Sequence, residues 1–174
     1  MLPTAAHAQD DSPSSAPRPG AGAHIRVVGT NVSASLKPYT LRRFPSVFPV
    51  PKGRSQVGVI NIKEAGGTCP LSAKTVKNLD RDSCSTLLLA HNYLAFKELP
   101  RAKVGRSVVV SLPHDRGLTK VHWEITKVQR IREQTTQIAD AIYNTGAKYR
   151  RLVLVTCGKG PMRVVVTARF SHVS

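Results

Sequence analysis

From residue 24 onward the chain alternates between short apolar runs and clusters of turn-forming residues. The runs lie at residues 24–28, 57–62, 86–90, 107–112, 121–131, 151–156 and 163–170. Each has the length of a strand, and the abundance of Val, Ile and Thr suits a pleated, half-buried backbone. Between them stand breaks such as Asp115-Arg116-Gly117, where a glycine can take up the positive φ that other residues resist. Strands at this spacing predict an all-β fold of the barrel or sandwich type. Two segments carry a different rhythm: residues 72–79, and residues 133–143, where Ile138 and Ile142 fall one helical turn apart with Ala141 beside them. Both predict short amphipathic helices laid over the sheet. Residues 31–53, with four prolines, show no readable period.

Composition bounds the organisation. A chain of 174 residues that is 41% hydrophobic supports one core, so residues 24–174 are expected to form a single domain. Residues 1–23 are rich in Ser, Pro, Ala and Gly, cannot bury a core, and predict a disordered tether. Within them Thr4-Ala5-Ala6-His7-Ala8-Gln9 has the small-x-small pattern of a signal-peptidase site, which fits either the remnant of an export segment or a plain flexible tail. No apolar run approaches the roughly 18 residues needed to cross a membrane.

The balance of 26 Lys+Arg against 10 Asp+Glu gives a formal charge of +16. Nucleic acid, anionic lipid and acidic wall polymers would all be attracted to such a surface. The cations are scattered, however, as at Arg42-Arg43 and Arg150-Arg151. A solvated basic face is therefore the simpler expectation, with no nucleic-acid partner.

Three cysteines leave one thiol over if two are paired. Cys69 and Cys84 are the better matched pair, and a bridge between them would close a loop of about 15 residues. Reduced side chains in a cytosolic protein are the alternative. The third, Cys157, ends the β-branched run Arg151-Leu152-Val153-Leu154-Val155-Thr156 and precedes Gly158. Residues 158–162 then lead into Arg163-Val164-Val165-Val166-Thr167-Ala168, the pattern of a hairpin. If the loop takes all five residues, Cys157 faces Arg163, Val155 faces Val165 and Val153 faces Thr167. A cation beside a thiol lowers its pKa, and a guanidinium can hold the oxyanion formed when a thiolate attacks a carbonyl.

A nucleophilic thiol needs a proton partner. Of the six histidines, His91 is set apart because it follows the apolar run 86–90 and precedes Asn92, where a strand opens into a loop. A histidine in that place is also compatible with a plain surface role, and a cysteine on a Val-rich strand with inert packing.

Leu89-Ala90-His91-Asn92, Lys103-Val104-Gly105-Arg106, Val153-Leu154-Val155-Thr156-Cys157-Gly158 and Arg163-Val164-Val165-Val166 together resemble the sortase family over residues 57–170, with the subclass open between class E/F and others. The chain differs from the family pattern in carrying Val153 where a Thr often opens the cysteine strand and Arg106 where an acid follows the glycine. The resemblance implies a closed or partly closed eight-stranded barrel with one or two short helices. It implies a catalytic set of Cys157, His91 and Arg163, with Thr156 and Asn92 contacting the substrate. It also implies an envelope enzyme, tethered to the membrane in its full-length form and acting on the extracellular side. Its partners would be surface proteins bearing a Leu-Pro-x-Thr-Gly-like sorting signal, cleaved between Thr and Gly, and a peptidoglycan-precursor or pilin amine. No metal or organic cofactor is expected, since the sequence has no acidic cluster suited to calcium. A cysteine peptidase hydrolysing the same signal, and a basic binding module without chemistry, are the alternatives.

Overall fold

The computed structural model describes residues 22–43, 48–64, 68–79, 83–132, 140–141, 150–157 and 161–174. The tether expected at residues 1–23 therefore lies almost wholly outside the described residues; Ala23, at its end, is buried in the core. So does most of the helix expected at 133–143, of which residues 140–141 are helical.

Eight strands are described: β1 (His24–Val27), β2 (Ser33–Leu41), β3 (Gln56–Ile62), β4 (Ser85–Leu89), β5 (Ser107–His114), β6 (Gly117–Arg132), β7 (Arg151–Cys157) and β8 (Met162–Val173). They close into a barrel in the order β1-β2-β3-β4-β7-β8-β6-β5. Two neighbouring pairs, β2 with β3 and β4 with β7, run parallel. The others are antiparallel, and β1 against β5 completes the ring. Closure removes the open edges that an isolated sheet would expose.

Seven strands match the apolar runs of the sequence. The eighth, β2, falls in the proline-containing stretch that lacked a period. Its alternation is carried by small residues, with Ala34 and Leu36 inward and Ser33, Ser35 and Lys37 outward, and Pro38 interrupts it. Proline ordinarily argues against a paired strand because it lacks the donor, yet Pro38 here stands in register with Val59. Residues 72–79 do not form the expected amphipathic helix. They make turns and a single 3-10 turn at Val76–Asn78, with the Thr75 hydroxyl donating to the Ser72 carbonyl and accepting from the Ser72 N–H. A threonine that bonds its own backbone neighbours offers the chain an alternative to continuous helix.

Residues on alternate positions of the same strands enter two separate apolar clusters. One fills the barrel, with Trp123, Ile25, Leu88, Leu112, Leu154 and Val166, joined by Phe96 and Leu99 from the connection that follows β4. The other lies on the outer face of β3, β4, β7 and β8 and comprises Ile60, Ile62, Leu87, Leu89, Val153, Val155 and Val165. Tyr39, Leu41, Phe48, Ile131 and Ala141 pack against it. Period-two geometry requires this: a strand that is apolar at every position must be covered on both faces.

One end of the β4–β7 pair is tied by polar bonds. Cys69 and Cys84 are joined by a disulfide across 15 residues of sequence, with Cα atoms 5.9 Å apart. Beside it Arg150, only 1% exposed, donates to the Thr86 hydroxyl and to the Pro70 carbonyl. The Cys69 N–H and carbonyl bond the Ser85 carbonyl and the Thr86 hydroxyl, so the segment before β4 is fixed to the strand itself.

Candidate active site

The opposite end of the same strand pair gathers the candidate chemistry. The β7–β8 hairpin has the register expected from its loop: Cys157 pairs with Arg163, Val155 with Val165 and Val153 with Thr167. On the other side of β7, the parallel pairing runs from Ser85 with Arg151 to Leu89 with Val155, a constant offset of 66 residues (151 − 85 = 155 − 89). The Ala90 N–H continues it by donating to the Val155 carbonyl at 3.4 Å. The last registered pair is Leu89 with Val155; His91 follows it by two residues on one chain segment and Cys157 by two on the other. Backbone register pairs Cys157 with Arg163 across β7 and β8. Arg163 shares the parity of Val165, which belongs to the outer cluster.

Thr156 stands on the other parity. It is 2% exposed, and its hydroxyl donates to the Ala90 carbonyl at 2.8 Å. The bond links the residue before Cys157 to the residue before His91, fixing the two strand ends at one spacing. Thr156, expected at the substrate, has its hydroxyl bonded within the protein. Asn92 is half-exposed in the turn that follows His91.

That turn is tight. The His91 carbonyl accepts from the N–H groups of Leu94 and Phe96, at 3.2 and 3.3 Å, while Phe96 and Leu99 anchor the segment in the core. Tyr93 is 68% exposed, and its ring stacks on the His91 imidazole with centroids 4.9 Å apart and planes inclined by 26°. No sequence pattern signals this contact, because a turn has no hydrophobic period to read. Arg163 is half-buried, and its Nη1 donates to the Met162 carbonyl at 3.1 Å.

Farther along, Lys103-Val104-Gly105-Arg106 forms a turn closed by the Arg106 N–H on the Lys103 carbonyl, with Gly105 at φ +81°. A glycine is favoured there because a Cβ would strain that conformation. Among the described residues no group of three or more His, Cys, Asp or Glu could hold a metal ion. Nor is any described helix long and apolar enough to cross a membrane.

Comparison with known proteins bears on the arrangement. No curated protein matches the sequence. Solved structures match the fold at low identity. A Clostridium perfringens sortase D5 transpeptidase has a TM-score of 0.58 and 13% identity, over 86% of this chain and 78% of that one. A T196V mutant of sortase E from Streptomyces avermitilis has a TM-score of 0.57 and 16% identity, over 92% and 93%. A sortase C from Clostridium perfringens, solved with the C-terminal cell wall sorting motif, has a TM-score of 0.57 and 16% identity, over 86% and 69%. The family model for the sortase domain matches residues 49–171, the greater part of the sequence and every strand from β3 onward. The chain belongs to the sortase family of transpeptidases.

Proposed function

We propose that this sortase is a cysteine transpeptidase of the cell envelope that cleaves a Leu-Pro-x-Thr-Gly-like signal between Thr and Gly and joins the acyl group to a cell-wall amine. The observation that supports it is the register that pairs Cys157 with Arg163 and sets β4, which ends two residues before His91, alongside β7. A thiolate at Cys157 attacks the threonine carbonyl, and Arg163 holds the negative charge that develops on the oxygen. As the carbon–nitrogen bond breaks, the His91 imidazolium gives its proton to the departing glycine amine and leaves a thioester on Cys157. The incoming amine then loses a proton to the imidazole as it attacks the thioester, and the thiolate is restored. Thr156 acts through its bond to the Ala90 carbonyl, which holds the two strand ends at one spacing for the proton transfers.

The proposal is tested by incubating the protein with a labelled sorting peptide, with and without oligoglycine. Transfer of the label to oligoglycine, abolished by Cys157→Ala in a protein that keeps its circular dichroism, is the expected result. Product formation that is indifferent to oligoglycine would identify a peptidase instead. Undiminished turnover by Cys157→Ala would remove Cys157 from the mechanism.

A further inference from the structure

The imidazole of His91 requires something to hold its plane. In the proposed reaction it must face a departing amine and then an arriving one, and a loose ring would spend much of its time misdirected. Among the described residues it makes no ion pair with a carboxylate, and its aromatic partner is Tyr93. We propose that Tyr93 is a positioning residue for His91, its ring bracing the imidazole face to face at the mouth of the site. The inference rests on the reading of His91 as the acid/base.

Three features carry it. The first is geometry: ring centroids at 4.9 Å with planes 26° apart form a stacked pair, within the separation at which aromatic rings attract. The second is the backbone beneath the pair. The Leu94 N–H closes a turn on the His91 carbonyl, so Tyr93 sits at the third position of that turn, and the buried Phe96 and Leu99 fix the segment that follows. The third is exposure. Tyr93 remains 68% accessible and so contributes little to the core, while its ring meets the His91 imidazole. The π face of a tyrosine also attracts cations, which adds to the attraction whenever the imidazole carries the proton it delivers.

Tyr93→Ala and Tyr93→Phe separate positioning from other roles. The ring-current displacement of the His91 Cε1 proton resonance is expected to disappear in Tyr93→Ala and to return in Tyr93→Phe. The kcat for transfer to oligoglycine is expected to fall about two- to fivefold in Tyr93→Ala, the range an exposed cation–π contact is worth, with KM unchanged. Tyr93→Phe, which keeps the ring, is expected to recover the rate. A His91 resonance that does not move in Tyr93→Ala, an unchanged kcat, or a loss seen in KM alone would each overturn the proposal. His91→Ala is measured alongside: an active His91→Ala removes the acid/base reading itself, whereas an inactive one with an indifferent Tyr93→Ala removes only the role of Tyr93.

Discussion

Arg163 stands beside Cys157 because a hairpin register puts it there, and a slip of one residue would carry it to the opposite face. If its guanidinium steadies the oxyanion, Arg163→Lys should slow transfer on the order of a hundredfold, since an ammonium does not reproduce the planar fork. Initial rates with a labelled sorting peptide check this, and an unchanged rate would leave Arg163 a structural role only. Cys157 and Arg163 were legible as a pair from sequence because a short loop between two Val-rich runs determines their register. His91 was legible only as a residue at a strand end. The strand it follows lies beside β7 through parallel pairing across 66 residues, which no local pattern encodes. Tyr93 lay beyond reach for a different reason: its contact arises from a turn, where side-chain direction follows the bend rather than a repeat.

At the scale of elements, the candidate site lies where β4, β7 and β8 meet, and the Thr156 hydroxyl on the Ala90 carbonyl is a lateral tie between the first two. Thr156→Val keeps the volume and removes the donor, leaving a buried carbonyl short of a partner. The expected cost is about 1–3 kcal/mol in denaturant unfolding. Transfer should slow as well, with Thr156→Ser closer to the parent than Thr156→Val in both measurements. A Thr156→Val variant with unaltered midpoint and rate would mean the tie is incidental. The far end of the same pair is secured covalently by Cys69 and Cys84. Closing a loop of that length restrains the unfolded chain, so Cys84→Ser should lower stability by about 3 kcal/mol, read from the shift in urea midpoint. The strands were readable wherever β-branched runs alternate with turns. The strand β2 was not, because Ser33, Ala34 and Ser35 supply little hydrophobic contrast and Pro38 signals a break. The segment before β4 read as helix because its apolar spacing is helical, but Thr75 satisfies neighbouring backbone groups instead.

For the molecule as a whole, β6 and β8 form the longest seam, and its C-terminal end carries a pH-sensitive contact. The His122 and His172 rings stack at 4.2 Å, and beside them the Lys120 and Ser174 backbones exchange hydrogen bonds of 2.8 and 2.9 Å. Burial first, then His172 and Lys120, hold the His122 pKa below its ordinary value. A base whose folded pKa is depressed takes up protons more readily when unfolded, so its contribution to stability is present above about pH 6.5 and is lost as pH falls toward the folded value. The melting temperature should therefore drop as pH is lowered from 7.5 to 5, and His172→Gln should flatten that dependence. An identical slope in the variant would count against the pair.

The β4–β7 ribbon has one more consequence, which concerns sulfur chemistry. Cys84 immediately precedes β4, at the end where Arg150 leads into β7, whereas Cys157 closes β7 at the other end. Seven residues of extended chain separate the two levels, roughly 20 Å. If Cys157 is the nucleophile proposed above, the finished barrel keeps it out of range of the chain's own disulfide and insulates its thiolate from thiol–disulfide exchange within the chain. That insulation comes from folding, because a chain in which β7 has not yet docked beside β4 places no such distance between the three sulfurs.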